Sequence, residues 1–246
     1  MGDMKIGFGI PNNQGVEDPN DLVSLAVTAE GLGFNSVWVR EHLFHSTYVA
    51  ERLGDRPYHD ALTILTAIAC ATKTVRLGTS VLVLPWHDPA RLGKMVATLD
   101  QLSGGRVDLG VGVAVTRDEF ENLGVDFATR GRRTDEILDA LVALWTQDIP
   151  QFTGEFYQFS GLRFSPKPRQ KPHPPILIGG SSPAARGRVA ARGRGDDVAP
   201  AIRDAACGGA FAPWLVWPGS LHGVHTVWVA GTPLGGRGRH VDQGLA

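Results

Sequence analysis

Three short stretches of the chain carry side chains able to do chemistry. Glu41 and His42 stand together directly after a strand-like run, FNSVWV at 34–39. An imidazole titrates near neutral pH, so His42 can exchange a proton with a bound molecule. Gly179, Gly180, Ser181 and Ser182 follow the apolar run ILI and precede Pro183, where a helical pattern opens. Free backbone N–H groups at a helix N-terminus, flanked by small residues and hydroxyls, make a phosphate site. Gly110 and Gly112 interrupt a third apolar run, RVDLGVGV at 106–113. Without a Cβ, such positions let a planar ring approach the backbone. Other chemistries lack their signatures. The eight histidines show no metal-ligand spacing, no Gly-x-Ser-x-Gly is present, and Cys70 and Cys207 form no CxxC pair.

The elements that must position these residues follow from periodicity. The runs 4–10, 34–39, 76–84, 106–113 and 176–180 read as buried strands. Helical spacing recurs after Asn20, over 60–73, after Asp88-Pro89 and over 134–147, and a further helix opens at Pro183. Residues 40–57 form a long polar segment, of the kind that is usually functional in a compact domain. Residues 151–159, QFTGEFYQF, alternate as a small hairpin inserted within 148–165. Near-continuous apolar strands alternating with helices demand a parallel sheet covered by helices. No Gly-x-Gly-x-x-Gly follows the first strand, which disfavours a nucleotide-binding open sheet and leaves a (β/α)8 barrel as the other architecture.

The composition of the 246 residues, 43% hydrophobic and 20% charged with a formal net charge of −1, suits a globular enzyme. It argues against a nucleic-acid or polybasic membrane binder. No segment reads as a signal peptide or membrane span, and a cytoplasmic setting is expected. Residues 196–246 differ from the rest. Lys171 is the last lysine, and the uncharged stretch 205–236 is broken repeatedly by Gly and Pro.

In order along the chain, IGFGIPN at 6–12, SVWVREH at 36–42, RLGTSVLVLPWHDPARLGKMVATLDQLSGGR at 76–106, DLGVGV at 108–113, RDEFENLGVDFATRGRRTDEIL at 117–138 and KPHPPILIGGSSPAA at 171–185 resemble the luciferase-like flavin oxidoreductases. Within that family they look like the branch that uses the deazaflavin coenzyme F420. The resemblance covers residues 4–195. It implies an α/β fold, a TIM-type (β/α)8 barrel of the luciferase-like kind, incomplete after the fifth βα unit. Residues 1–195 would then form the barrel domain and 196–246 an aberrant Gly/Pro-rich tail.

The resemblance also implies roles. His42 would be the acid/base or substrate-positioning group, with Glu41 orienting it. Thr79, Ser80 and Val81 would lie under the cofactor ring, with a non-prolyl cis peptide near them, joined by Gly110 and Gly112. Gly179–Ser182 would hold the cofactor phosphate. Where relatives continue the fourth strand as Gly-Trp, this chain reads Ala114-Val115. It also lacks the glutamate found nearby in sugar-phosphate-oxidising relatives, so that substrate is not expected. The implied function is hydride transfer between coenzyme F420 and a small organic substrate. An FMN-dependent monooxygenase fed by a separate flavin reductase is the alternative. A non-catalytic relic, its tail read from a shifted frame, is the second. A homodimer is compatible with all three, and no metal, nucleic acid or membrane partner is expected.

Overall fold

The computed structural model describes residues 5–180 and 182–192, and the backbone of three further strands at 198–202, 215–216 and 226–230. The chain opens with strand β1 (Lys5–Gly9), helix α1 (Pro19–Gly31), strand β2 (Ser36–Val39), and helices α2 (Thr47–Leu53) and α3 (Ala61–Ala71). Strands β3 (Arg76–Thr79) and β4 (Leu82–Val83) lead through a 3-10 turn to helix α4 (Pro89–Leu102) and strand β5 (Val107–Gly112). Helices α5 (Arg117–Asn122) and α6 (Arg130–Thr146) follow, then the hairpin β6 (Phe152–Thr153) and β7 (Gln158–Phe159). Strand β8 (Ile176–Gly179), helix α7 (Pro183–Arg192) and strands β9 (Val198–Ile202), β10 (Leu215–Val216) and β11 (Thr226–Ala230) complete the order.

The sheet runs β10-β11-β1-β2-β3-β5-β8-β9, and every neighbouring pair from β11 to β9 is parallel. Only β10 joins antiparallel. The five expected strands thus lie side by side, as the βα order demands. The sequence shows no βα pattern after residue 195, yet β9 pairs beside β8 and β11 beside β1. Among the described residues no helix follows Arg192, so strands continue there without the alternation.

Apolar alternation explains the two faces of the sheet. Val37, Val39, Leu77, Val107, Leu109, Val111, Ile176 and Ile178 turn outward into the core against the helices. Leu65, Ile68, Leu92, Leu99, Leu141 and Trp145 meet them there. Each such side chain, fully buried, contributes roughly 1.5–3 kcal/mol. Helix starts follow the expected chemistry. The Asp88 carboxylate accepts from Arg91 N ahead of Pro89, and Asp60 accepts from Thr63 N.

The barrel interior is lined differently, largely by glycine. The Trp38 ring lies across Gly7 and Gly78, where an added Cβ would collide with it, and its Nε1–H donates to Ser36 Oγ at 2.8 Å. At the N-terminal ends of the strands, Arg76 pairs in bidentate fashion with Asp108. Beside it, buried Arg106 donates to the carbonyls of Ala69, Thr72, Val75 and Ser103. That end is built for stability, which leaves the C-terminal ends of the strands for function.

Two details bear on the site. The Ser80–Val81 peptide is cis and separates β3 from β4, as the resemblance implies for this stretch. The polar segment 40–57 is not all loop: α2 forms within it, with Val49 and Leu53 turned inward.

Candidate active site

Glu41 and His42 follow β2, and their side chains take different partners. The expectation that Glu41 orients His42 is corrected by this geometry. The buried Glu41 carboxylate accepts from Val83 N at 2.6 Å and pairs with His87 Nε2 at 2.8 Å. It therefore ties the end of β2 to β4, just beyond the cis peptide. Burial alone would lower the His87 pKa, but the hydrogen bond and charge of Glu41 outweigh it and raise the imidazole above its ordinary value.

The partner of His42 is Glu119, on α5. Nδ1 of His42 lies 2.7 Å from Glu119 Oε2. Glu119 also accepts from Leu43 N at 3.0 Å, from Phe44 N at 3.3 Å and from the Thr116 hydroxyl at 2.8 Å. Burial pushes its carboxyl up, but these bonds, led by that of His42, hold it below the ordinary carboxylate range. An ionised carboxylate only accepts, so the ring donates from Nδ1, and in the tautomer protonated there alone the lone pair lies on Nε2. The His42 side chain is 21% exposed, whereas that of Glu119 is wholly buried. This is a proton acceptor facing outward from a fixed anionic support.

Aromatic rings surround His42. Tyr58 meets it edge-on at 5.5 Å between centroids, with Trp86 at 6.1 Å and Tyr48 at 6.3 Å. Burial pushes the Tyr58 phenol well above its ordinary pKa, against the pull of Arg40 and Arg52. Among the described residues, five shielded side-chain polar atoms lack a hydrogen-bond partner: Asn13 Oδ1, Ser46 Oγ, Arg52 Nε, Tyr58 Oη and Trp86 Nε1. All five sit on segments following β1, β2 or β4, at the C-terminal ends of the strands. Buried polar groups in folded proteins are nearly all hydrogen-bonded, so five such atoms at one end of the barrel set it apart from the packed core.

The other expected residues are arranged around Val81. Its methyl groups occupy the space that a Cβ at Gly112 or Gly179 would take, with separations of 2.7 and 2.8 Å. Those glycines admit Val81, and Val81 presents the surface at that level. Thr79 donates its hydroxyl to Gly110 O at 2.7 Å, and Ser80 N donates to Val39 O. Gly180 has φ +106° and turns the chain into α7, where Ser182 Oγ accepts from Ala185 N at 3.1 Å. Arg188 pairs with Asp135 at 2.9 Å and holds α7 on α6. Ser181 lies outside the described residues.

A family model described as luciferase-like monooxygenase matches residues 4–204. The chain belongs to this family. Among the luciferase-like relatives, an FMNH2-dependent dimethylsulfone monooxygenase of Pseudomonas putida is 38% identical over 66% of this chain and 44% of its own length. An F420-dependent glucose-6-phosphate dehydrogenase of Amycolatopsis mediterranei is 32% identical over 82% of this chain and 63% of its own length. A monooxygenase structure from Streptomyces bottropensis superposes with a TM-score of 0.68 at 30% identity, covering 79% of this chain and 59% of that one. The luciferase-like barrel is thus the fold, and the chain spans less than two thirds of these relatives. Both deazaflavin- and flavin-dependent enzymes stand among them. The sequence singled out His42 but neither Glu119, His87 nor Tyr58. Glu119 sits inside the quoted RDEFEN run, where charges at a helix start read as a solvated face.

Proposed function

We propose that the chain is an oxidoreductase that transfers hydride between coenzyme F420 and a small organic substrate, with His42 handling the proton. The observation that carries this reading is the His42–Glu119 pair, which leaves Nε2 free to accept a proton at the strand-end mouth of the barrel. The deazaflavin, when bound, supplies the hydride acceptor. Nε2 takes up the hydroxyl proton of the substrate, and the Glu119 carboxylate stabilises the resulting imidazolium. Gly179–Ser182 and the start of α7 hold the cofactor phosphate, and Thr79–Val81 form the wall for its ring beside Gly110, with Val81 seated in the space that Gly112 leaves. Glu41 acts at one remove, by fixing β4 through Val83 and His87.

The test is titration of the purified chain with F420 and, separately, with FMN, followed by fluorescence. Binding of F420 with an affinity that His42→Ala leaves intact, together with a loss of turnover of about 100-fold or more in that variant, is the expected result. Failure of the chain to bind either cofactor would overturn the reading.

The Pseudomonas putida relative favours a second reading, an FMN-dependent monooxygenase supplied with reduced flavin by a separate reductase. Oxygen consumption with reduced FMN, absent with F420, would select it. The lysine-free composition of residues 196–246 favours a third, a non-catalytic relic whose tail comes from a shifted frame. Resequencing the locus, and finding family-like βα text in another frame, is its test.

A further inference from the structure

Past the end of β1, Ile10 N donates to Trp38 O at 2.8 Å, and next comes Pro11, which has no N–H to donate. The side chain of Asn12 then takes over from the backbone. Its Oδ1 accepts from Arg40 N at 3.0 Å, and its Nδ2 donates to Arg40 O at 2.8 Å. A side-chain amide thus offers Arg40 the same pair of groups, one acceptor and one donor, that a neighbouring strand would offer. The second Nδ2 hydrogen goes to His59 O at 2.8 Å, and His59 N donates back to Asn12 O at 2.9 Å. These partners fix the orientation of the amide, because a carbonyl cannot donate and a backbone N–H cannot accept. Asn12 is wholly buried, and without its amide three backbone groups would lose their partner.

The two peptides held in this way flank the His42 imidazole. Arg40 stands two residues before His42 on the segment leaving β2. His59 follows Tyr58, whose ring meets the imidazole edge-on at 5.5 Å between centroids. His59 is anchored in turn, with Nε2 2.7 Å from Val16 O. The third support is Glu119, which comes from α5 and takes Nδ1. One buried amide therefore joins the backbone on which His42 rides to the backbone that carries the ring beside it.

We infer that Asn12 is a positioning residue, whose amide fixes the Arg40 and His59 peptides so that the His42 imidazole keeps its place on Glu119. The inference rests on the functional reading above for the role of His42. It adds a residue from β1's end of the barrel that acts on the reaction through backbone alone.

The test uses the full chain labelled with 15N-histidine. The Nδ1–H resonance of His42, assigned by its disappearance in His42→Ala, reports the bond to Glu119. In Asn12→Ala its exchange with water should quicken about tenfold, the effect of losing one good hydrogen bond from its support. Asn12→Ser leaves a hydroxyl for one of the three bonds and should quicken exchange less, in a chain that folds more readily. Leu99→Ala opens the core toward the C-terminal end of α4, which leads into the start of β5. It should lower the melting temperature and leave the exchange at its wild-type rate. Wild-type exchange in both Asn12 variants overturns the inference. Exchange quickened as much in Leu99→Ala overturns it too, by showing that any loosening of the fold reaches His42. Loss of folding in both Asn12 variants does the same, by showing that the amide serves the fold as a whole. Absence of F420 and FMN binding in the wild type would instead remove the functional reading, while the His42 signal still reports the hold of Asn12.

Discussion

Glu119→Gln keeps the shape of the carboxylate but removes its charge, so in the proposed reaction an imidazolium at His42 would lose its support. Turnover should fall about 10- to 100-fold with cofactor affinity unchanged, a split that steady-state kinetics beside a binding titration will read. His87 answers to pH in a definite direction. Its folded pKa is raised, so the stability it gains from Glu41 is complete below the ordinary imidazole value of 6.5 and is lost as pH rises through the folded value. The difference in melting temperature between wild type and His87→Gln should therefore be largest below about pH 6.5 and shrink above it. Ala114 has φ +58°, in the left-handed region where a Cβ costs about 1–2 kcal/mol. Glycine there loses about 0.4–1 kcal/mol through the freer unfolded chain, so Ala114→Gly should stabilise by about 0.5–1 kcal/mol, roughly 2 °C in Tm. That strain sits at the Ala114-Val115 step singled out in the sequence. The His42–Glu119 pair was not, because its members lie 77 positions apart and only the fold brings them together.

Strands and long helices were legible because apolar spacing reports burial directly: the expected helix over 60–73 is α3, and the Asp88-Pro89 start is where α4 begins. Short elements were not. Helices α2 and α5, of seven and six residues, are too short for a stripe to form and owe their shape to tertiary contacts. One such contact joins α1 to the entry of β3. The Glu30 carboxylate accepts from Lys73 N, Thr74 N and Val75 N. Partial burial opposes ionisation, but these backbone bonds bring its pKa from 4.5 to about 2. A depressed carboxyl gives stability that is present above pH 4.5 and lost as pH falls through about 2. Because Glu30 is largely open to solvent, the loss should be about 1 kcal/mol, absent in Glu30→Gln, and visible in acid titration followed by circular dichroism.

At the scale of the whole molecule, the barrel interior depends on one indole laid over two glycines. Gly78→Ala would drive a methyl group into the Trp38 ring and should destabilise by about 1–3 kcal/mol, measurable by urea unfolding. Gly112→Ala meets the same obstacle at Val81, and Val81→Ala should restore most of the loss, a coupling that a double-mutant cycle will read. Val81 also fills the space at Gly179, so one side chain keys three successive barrel strands. This bears on how the protein can change over generations. Neither glycine can acquire a side chain while valine occupies position 81, and an alanine at 81 leaves a void until one of them does. The three sites are therefore locked together: a glycine that changes first meets a clash, and a valine that changes first leaves a hole. A lineage can leave this arrangement only by crossing one of those two less stable intermediates.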